Sequence, residues 1–515
     1  MLDLNNFINK TISYFFFRGY GPRNYPKKFK YILNFCDSDL DTTIKKVKKK
    51  NYSQNFNIDL ASRKIKKNSR SFWKNNIYKD DEDLGYMHRW SWAINLLYSK
   101  TNKSKKTKKK YIENTINNWF VEIQNSTSNK SQIEWYPYNV SERISNYVLL
   151  CEFKILKKKD IFLNHLTNQM FFLTKNIEFY KDKNSNHSLN NARAIFLLSS
   201  YTNNKIFQNF SIKLILYLCS KFIDKDGFFK FGSSHYQFVF TKWLHEIYYF
   251  GKKYKVNKID SISKYLLKAQ NACEFFLQTK QIKKITYPLF GNISPDFTPD
   301  FLINYNKYFM NSKYFKSIKR KKTYKINNNE WIKLSNKSQS VYFRNPMING
   351  FEFNHAHADF FHFVNFYKGN QIFIDIGRKD YLKENKKYSY SKFHNSIILN
   401  ERGFFEEFIN KNVATKTGIL TLNKDQYIVS KSNNKITFKI NSNPKFNVKR
   451  SFELDVKSLK IISSFNVRNE DVKILMPFYI NSEINISKIS EKKYLLKSKF
   501  VQSILEISDK NKFTK

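Results

Sequence analysis

The chain of 515 residues has few cysteines, few acidic side chains and no long hydrophobic run. Its cysteines are far apart in the sequence and form no CxxC pair, so their spacing indicates neither a disulfide framework nor a thiolate zinc site. We expect them to be buried small apolar residues. They are Cys36, Cys151, Cys219 and Cys273.

The N-terminal sequence contains only one short apolar patch, at residues 14–17. No apolar run continues from it into a signal-type or membrane-spanning segment. We therefore expect a soluble protein without a membrane segment, cytoplasmic by default. The sequence carries no indication of the oligomeric state.

Acidic residues are scarce relative to basic ones, with 42 Asp and Glu against 91 Lys and Arg and a formal net charge of +49. A field of this sign attracts polyanions such as nucleic acid, an anionic membrane surface or an acidic polysaccharide. Lys, Asn, Ile, Phe and Tyr are all abundant, so A/T-rich coding explains the basic charge equally well. No nucleic-acid-binding motif is present, and we expect no nucleic-acid partner.

Apolar and aromatic side chains are abundant, at 41% and 17% of the residues, which excludes an intrinsically disordered polyelectrolyte. Between about residues 86 and 280 they recur at helical spacing in seven or more segments joined by short polar connections. This pattern predicts antiparallel helical hairpins packed side by side. After residue 330 they form short β-branched and aromatic runs, which predict an antiparallel sheet.

These patterns predict a multidomain α+β protein in which a helical domain is followed by a β-sandwich-like domain. We assign residues 1–85 to an N-terminal extension and the start of the helical domain, and residues 86–310 to the helical domain itself. A basic stretch without glycine, residues 311–330, is the predicted linker. Residues 331–515 form the predicted β domain.

The segment FNHAHADFFHF contains three of the nine histidines of the chain. If residues 354–367 form a strand, the two-residue period puts His355, His357 and Asp359 on one face and His362 on the other. A single histidine is more often a hydrogen-bonded core residue than a ligand. The clustering nevertheless favours a functional site.

Two further side chains belong to this region, because Asp375 follows the apolar run IFI and His394 precedes the run NSIIL. Two histidines and a carboxylate match the nitrogen and oxygen ligands that zinc prefers. A sheet commonly brings such dispersed ligands together. The sequence therefore indicates a possible metal site in the β domain.

In the helical half, the segment NSNHSLNNARAIFLLSS places Asn186 and His187 at the start of an apolar helix. Helix N-termini attract anions, so these side chains could bind a carboxylate. The alternative is that Asn186 only caps the helix. Further on, Tyr236 heads another helix, where it could act as an acid or base if its pKa were lowered, although most of the 33 tyrosines serve packing.

Taken together, these motifs resemble the heparinase II/III-like polysaccharide lyases. The resemblance covers roughly residues 86–400, and the last of its motifs is the most specific. It implies an incomplete (α/α) toroid followed by an antiparallel β-sandwich. In chain order, the motifs are EWYPYNVSERISNY, NHSLNNARAIFL, DGFFKFGSSHYQ, GNISPDFTPDFL and NHAHADFFHFVNFYKGNQIFIDIG with FHNSIIL.

The resemblance implies an enzyme that cleaves an acidic, uronic-acid-containing polysaccharide, with or without sulfate, by β-elimination. Asn186 and His187 match the residues that neutralise the substrate carboxylate. Tyr236 matches the tyrosine that serves as acid, and in some members as base, and His355 matches a candidate second base. The alternative is a catalytically inactive glycan-binding protein of the same fold.

The resemblance also implies a largely structural zinc ion, whose ligands match His357, Asp375 and His394. Asp359 could orient a ligand from behind, whereas His362 has no counterpart and is interpreted as a core histidine. Other residues are assigned to substrate binding. They are Arg143, suited by its fork geometry, and Asn190, which stands where heparinase II-like members carry an acidic residue.

Overall fold

A computed structural model describes most of the chain between residues 27 and 507. Most of the predicted N-terminal extension, including the apolar patch at residues 14–17, lies outside the described residues. The described ranges are 27–38, 57–59, 64–66, 73, 78, 80–98, 104–123, 133–179, 186–279, 285–316, 318, 326, 330–345, 355–357, 359–377, 387–399, 402–403, 427–443, 446–467, 473–499 and 502–507.

The first half of the chain is helical, as the apolar period predicts. Short 3-10 helices lie at Lys27–Ile32 and Ile133–Trp135. The α-helices among the described residues are α1 (Leu33–Ser38), α2 (Asp81–Arg89), α3 (Ser91–Tyr98), α4 (Lys105–Ile123), α5 (Pro137–Glu152), α6 (Asp160–Lys175), α7 (Asn186–Tyr201), α8 (Lys205–Phe222), α9 (Ser234–Lys253), α10 (Asp260–Phe276), α11 (Pro299–Met310) and α12 (Lys313–Lys316).

Strands dominate the second half, and two short two-stranded sheets, β1–β2 and β3–β4, lie within the helical region. A 3-10 helix occupies Ser391–Phe393. The described strands are β1 (Asn57–Asp59), β2 (Lys64–Lys66), β3 (Gln278–Thr279), β4 (Ile285–Thr286), β5 (Trp331–Ser335), β6 (Gln339–Arg344), β7 (Phe363–Tyr367), β8 (Asn370–Gln371), β9 (Ile398–Leu399), β10 (Arg402–Gly403), β11 (Tyr427–Lys431), β12 (Lys435–Asn443), β13 (Phe446–Leu454), β14 (Leu459–Val467), β15 (Ile474–Leu475), β16 (Asn485–Ser490), β17 (Lys493–Lys497) and β18 (Gln502–Glu506).

The helices pack in two layers. In the inner layer α2, α5, α7, α9 and α11 each contact the next helix of this series. The outer helices lie against them, with α6 on α5 and α7, α8 on α7, and α10 on α9. This alternation of inner and outer helices is the arrangement of an (α/α) toroid.

Two four-stranded antiparallel sheets, β5–β6–β7–β8 and β11–β12–β13–β14, pack face to face. Their shared core is aromatic: the ring of Phe343 on β6 lies 5.5 Å from that of Phe438 on β12 and 4.6 Å from that of Phe452 on β13. Such a core between two sheets defines a β-sandwich. The predicted order, helices followed by antiparallel sheets, is confirmed.

The first sheet of the sandwich also packs against the helices. Every residue of β6 is buried, because its alternate side chains face the sandwich core and the toroid. Tyr342 turns to the helical side, where its hydroxyl donates to the carbonyl oxygen of Phe275 at 3.2 Å. Trp331 on β5 meets Phe276 with ring centroids 5.0 Å apart. This contact brings loops of the sheet to the inner helices.

The four cysteines are buried, as expected, and none of them forms a disulfide among the described residues. Burial raises the pKa of the Cys219 and Cys273 thiols to about 12, so both are protonated at neutral pH. Among the described helices, none combines the length and the apolar character that crossing a bilayer requires.

Candidate functional site

Tyr236 lies in the first turn of α9, as the sequence predicts. Ser233 caps this helix, because its hydroxyl oxygen accepts a hydrogen bond from the backbone N–H of Tyr236 at 3.2 Å. The same hydroxyl donates to the carbonyl oxygen of Asn292 at 2.7 Å. Ser234 donates in turn to the carbonyl oxygen of Pro288 at 2.7 Å. The start of α9 is thereby fixed to the loop before α11.

His355 lies flat on the ring of Tyr236, with ring centroids 3.6 Å apart and planes inclined by 10°. Both side chains are buried. Neither ring nitrogen of His355 has a hydrogen-bond partner among the described residues. Burial, with the charges of His187, His357 and His235, lowers the pKa of His355 to about 3, so its ring is neutral at neutral pH.

The predicted strand at residues 354–367 is wrong in its first part, because β7 begins only at Phe363. None of the described residues before it belongs to a strand: Phe360 and Phe361 form a turn, and Phe361 has a φ of 57°. Their backbone hydrogen bonds are local, for example from the N–H of His362 to the carbonyl oxygen of Asp359 at 3.1 Å. The assignment of these side chains to two faces of a strand therefore fails.

Two glycines allow the histidine loop to approach the toroid. Gly232 has a φ of 68°, and a Cβ there would lie 2.6 Å from the Cβ of Ala356. Gly291 has a φ of 71°, and a Cβ there would lie 2.3 Å from the carbonyl oxygen of His355. The N–H of Asn292 donates to that oxygen at 2.7 Å. Only glycine permits this conformation at this closeness.

Asn186 begins α7 and is buried, and His187 follows it with a side chain that is 42% exposed. The ring of His187 lies 4.6 Å from that of Tyr138, and its Nδ1 is 2.7 Å from Oε1 of Glu178. Although burial opposes it, the Glu178 carboxylate raises the pKa of His187 above its usual value. The charge of His187 acts on His355, which associates this helix start with the Tyr236–His355 pair.

His357, Asp375 and His394 converge as predicted, with one candidate ligand atom from each lying within 4.8 Å of the others. All three side chains are buried. Nδ1 of His357 and Nε2 of His394 have no hydrogen-bond partner among the described residues. Because buried polar atoms without partners are unfavourable, these residues fit a bound cation. Two imidazoles and a carboxylate suit zinc.

A second layer of side chains orients this triad. Nε2 of His357 lies 3.0 Å from Oδ1 of Asn292, which directs Nδ1 towards the other two members. Nε2 of His362 lies 3.5 Å from Oδ2 of Asp375, and its Nδ1 accepts from the N–H of Asn395 at 3.0 Å. The interpretation of His362 as a core histidine on the opposite face is thus corrected: it is buried, but beside the triad.

Asp359 contacts Arg344, which in turn contacts the backbone of His357. The two form a buried ion pair in which Nη2 of Arg344 contacts Oδ1 of Asp359 and Nε lies 3.3 Å from Oδ2. Nη2 also donates to the carbonyl oxygen of His357 at 3.1 Å. Although burial opposes ionisation, Arg344 keeps the pKa of Asp359 below its usual value. The pair therefore fixes the backbone at His357 instead of orienting an imidazole directly.

Arg143 lies inside the helical core. Its side chain is fully buried, with Nε donating to Gln169 at 2.9 Å and Nη1 to the carbonyl oxygen of His88 at 3.2 Å. Its guanidinium carbon lies 4.4 Å over the ring of Trp119, and burial lowers its pKa to about 9. These contacts hold Arg143 in the helical core and do not support its predicted role in substrate binding.

Asn190 also belongs to the interior, where its Oδ1 accepts from Nη1 of Arg193 at 2.7 Å. Arg193 bridges two buried carboxylates, Glu142 at 2.9 Å and Glu246 at 2.6 Å. Lys242 lies 2.8 Å from Glu246. These charges join the inner helices α5, α7 and α9. The structure therefore places Asn190 in a support for α7 and not on the surface of the site.

Sequence reasoning missed three residues that organise the site. Asn292 lies in the motif GNISPDFTPDFL, but an asparagine in a loop carries no signal of its own. Asn395 donates its side-chain N–H groups to the carbonyl oxygens of Phe363 and Ile374, each at 2.9 Å, and so joins the segments that hold the triad. Glu178, one of 42 acidic residues, stands outside every motif.

No protein-family model matches the chain, and no curated protein matches it in sequence. Solved structures do match. A structure of heparinase III superposes over 81% of this chain and 70% of its own, with a TM-score of 0.57 and 16% identity. The chain has the heparinase III fold. The resemblance drawn from the sequence motifs is thereby confirmed at the level of the fold.

Two further structures share the heparinase III fold. A second heparinase III gene product covers 83% of this chain and 71% of its own, with a TM-score of 0.51 and 13% identity. A mutant of the heparan sulfate lyase HepC from Pedobacter heparinus covers 91% and 80%, with a TM-score of 0.50 and 15% identity. At these identities the comparisons show a shared architecture, and function has to be argued from the residues.

Proposed function

We propose that the protein is a polysaccharide lyase that cleaves a uronic-acid-containing polymer by β-elimination. The observation that carries the proposal is the Tyr236–His355 pair, stacked at 3.6 Å where the sheet loops meet the inner helices. His187 at the start of the neighbouring inner helix completes the group. The heparinase III fold supports the same reading.

The stacked pair provides a proton acceptor and a proton donor. In β-elimination the C5 proton of the uronate is removed, its electron pair forms the C4–C5 double bond, and the C4–oxygen bond breaks. A ring nitrogen of His355, which has no partner among the described residues, accepts the C5 proton. The hydroxyl of Tyr236 gives its proton to the leaving oxygen. Exchange with solvent then restores both side chains.

The poor acidity of the C5 proton is the main chemical obstacle. Donors on the uronate carboxylate stabilise the enolate-like intermediate, and preorganised donors are usually the largest contribution to such catalysis. The Asn186 amide and the His187 imidazole fill this role at the start of α7, where the dipole of the helix adds to the positive potential.

The buried triad is the proposed zinc site, with His357, Asp375 and His394 as ligands. When bound, zinc supplies a structural cross-link and no reacting group. The residues of the chain determine what this cross-link holds: His355 lies two residues before His357, and its carbonyl oxygen is tied to Asn292. Holding this loop keeps the His355 ring against Tyr236.

An acidic polysaccharide is the substrate class that this site suits. The carboxylate donors recognise a uronate, and a net charge of +49 favours association with a polyanion. Neither feature distinguishes sulfated from unsulfated polymers, so the substrate test has to include both.

The test is incubation with heparan sulfate, hyaluronate, alginate and polyglucuronate while ultraviolet absorbance is followed. A lyase creates a conjugated double bond, so absorbance rises and mass spectrometry finds unsaturated uronate ends. Saturated product ends that have gained the mass of one water molecule would indicate a hydrolase and refute the proposal. Polymer binding without any product would favour the alternative, a non-catalytic glycan-binding protein.

A further inference from the structure

The buried carboxylate of Glu178 contacts the ring of His187. The Glu178 side chain is 5% exposed, and its Oε1 lies 2.7 Å from Nδ1 of His187. Glu178 lies nine positions before His187, in the segment that follows α6. The lyase scheme proposed above assigns no role to Glu178, although a buried carboxylate is unfavourable unless its partners justify its place.

The carboxylate is held on its other side by the toroid. Nδ2 of Asn191 lies 3.3 Å from Oε2 of Glu178, and its Oδ1 accepts the backbone N–H of Glu178 at 2.9 Å. Nδ2 of Asn191 also donates to the hydroxyl of Ser141 on α5 at 2.8 Å. Glu178 is therefore fixed relative to two inner helices, and so is the ring nitrogen that it contacts.

The titratable groups around His187 come from four elements. Glu178 contributes a negative charge at 2.7 Å. Arg89 on α2, 5.0 Å over the ring of Tyr138, opposes protonation of His187, whereas Glu82, which lies 2.8 Å from Arg89, favours it. His355 is neutral at neutral pH. Tyr138 on α5 presents a phenol whose pKa burial raises well above its usual value, so it adds no charge. Among these groups, Glu178 therefore has the largest electrostatic effect on the pKa of His187.

We propose that Glu178 is a positioning residue that holds His187 as an imidazolium, with Nδ1–H donated to the carboxylate and Nε2–H on the opposite edge of the ring. The uronate carboxylate would then meet a full positive charge in addition to a hydrogen bond. Charge-assisted hydrogen bonds are roughly twice as strong as neutral ones. A carboxylate behind an imidazole also fixes the tautomer and the orientation of the ring.

This inference rests on the proposed lyase function, and it makes a prediction about pH. If His187 must be protonated, activity is lost as pH rises through its pKa. Glu178→Gln removes the negative charge, so burial and Arg89 then lower that pKa. We expect the alkaline limb of the kcat profile to move to lower pH, with a loss of about tenfold or more at pH 8 and a smaller loss at pH 6.

Two measurements decide the proposal. NMR titration of the histidine side chains follows His187 directly and needs no substrate. In the unaltered protein His187 should titrate above its ordinary value, and in Glu178→Gln about one unit lower or more. Glu178→Asp should restore part of the difference. Glu113→Gln, which removes a half-exposed partner of Lys159, should leave the titration unchanged.

An unchanged His187 titration in both Glu178 variants would overturn the inference. If the pKa of His187 fell in Glu178→Gln but the alkaline limb of the kcat profile did not move, the proposal that the His187 imidazolium binds the substrate carboxylate would be overturned. Lack of lyase activity in the unaltered protein would refute the proposed function instead, and the NMR titration would still decide whether Glu178 keeps His187 protonated. If Glu178→Gln does not fold, the pH profile of kcat and the NMR titration can both be measured on Glu178→Asp.

Discussion

The substitution Arg193→Met is expected to destabilise the helical half by about 3–5 kcal/mol, the usual consequence of breaking a buried ion pair. Arg193 on α7 bridges Glu142 on α5 and Glu246 on α9 at 2.9 and 2.6 Å, and these side chains are 0% exposed. Lys242 adds a second cation 2.8 Å from Glu246. Methionine keeps the length of the side chain but leaves two buried carboxylates with one cation.

The size of the effect follows from the lack of solvent at the site. Against a typical total stability of about 5–15 kcal/mol, such a loss is roughly a fifth or more, and it corresponds to a fall in Tm of roughly 10 °C. Although burial opposes ionisation, Arg193 and Lys242 keep the pKa of Glu246 below its ordinary value of 4.5. The stability that Glu246 contributes is therefore present above pH 4.5 and is lost as pH falls through its lower folded-state pKa.

Thermal unfolding followed by circular dichroism measures this loss. Lys252→Met on α9, the helix that carries Glu246, is the matched control, because its ion pair with Asp260 has side chains that are 30% and 73% exposed. Exposed pairs contribute about 0–1 kcal/mol, so the control should melt close to the unaltered protein. If Arg193→Met melted at the same temperature as Lys252→Met, the argument that buried charges align the inner helices would be refuted.

The remaining predictions concern the metal site and the glycines. Dialysis against zinc followed by metal analysis should find about one zinc ion per chain. The variant His394→Ala should take up no zinc, because it lacks one of the three proposed ligands. Zinc uptake equal to that of the unaltered protein would contradict the proposed ligands. Gly291→Ala should lower kcat of the folded protein, because its Cβ would lie 2.3 Å from the carbonyl oxygen of His355 and its φ of 71° costs about 1–2 kcal/mol for other residues. Gly251→Ala is the control, since it crowds Ile259 near the far end of α9 and should affect stability but not kcat. Equal kcat values in the two variants would refute the role of the close contact between Gly291 and the backbone of His355.

The change of hydrophobic period revealed the architecture because most helices and strands bury only one side. β6 is an instructive case: it is buried throughout, since the sandwich lies on one face and the toroid on the other. The run SVYFR still predicted a strand, owing to its β-branched and aromatic side chains. The packing of this strand against two partners could not be read from its composition.

The histidine loop shows where the period misleads. The segment before Phe363 is rich in aromatic residues and alternates well enough to look like a strand. Its backbone instead turns, with Phe361 at a positive φ, and is held by the loop that contains Asn292. The candidate ligands were still identified, because the choice of His357 came from motif order and not from the face of a strand.

Side chains that act through long-range contacts were the least predictable. Arg143 and Asn190 fall in the expected motifs, yet burial directs both into the helical core. Glu178 falls in no motif, and only the tertiary structure shows its contact with His187. The type and spacing of residues indicate which chemistry is available, whereas tertiary packing determines which of these residues contact one another.

The most direct test of the account is the initial rate of double-bond formation by Tyr236→Phe on whichever polymer the unaltered protein degrades. We predict a fall of about 10²–10⁴-fold with polymer binding unchanged, because only the transferable proton is lost. Tyr249→Phe, on the same helix but with its hydroxyl 3.0 Å from Glu152, should keep the full rate. A Tyr236→Phe variant that matched the unaltered protein in rate would contradict the central claim that the Tyr236–His355 pair performs the elimination.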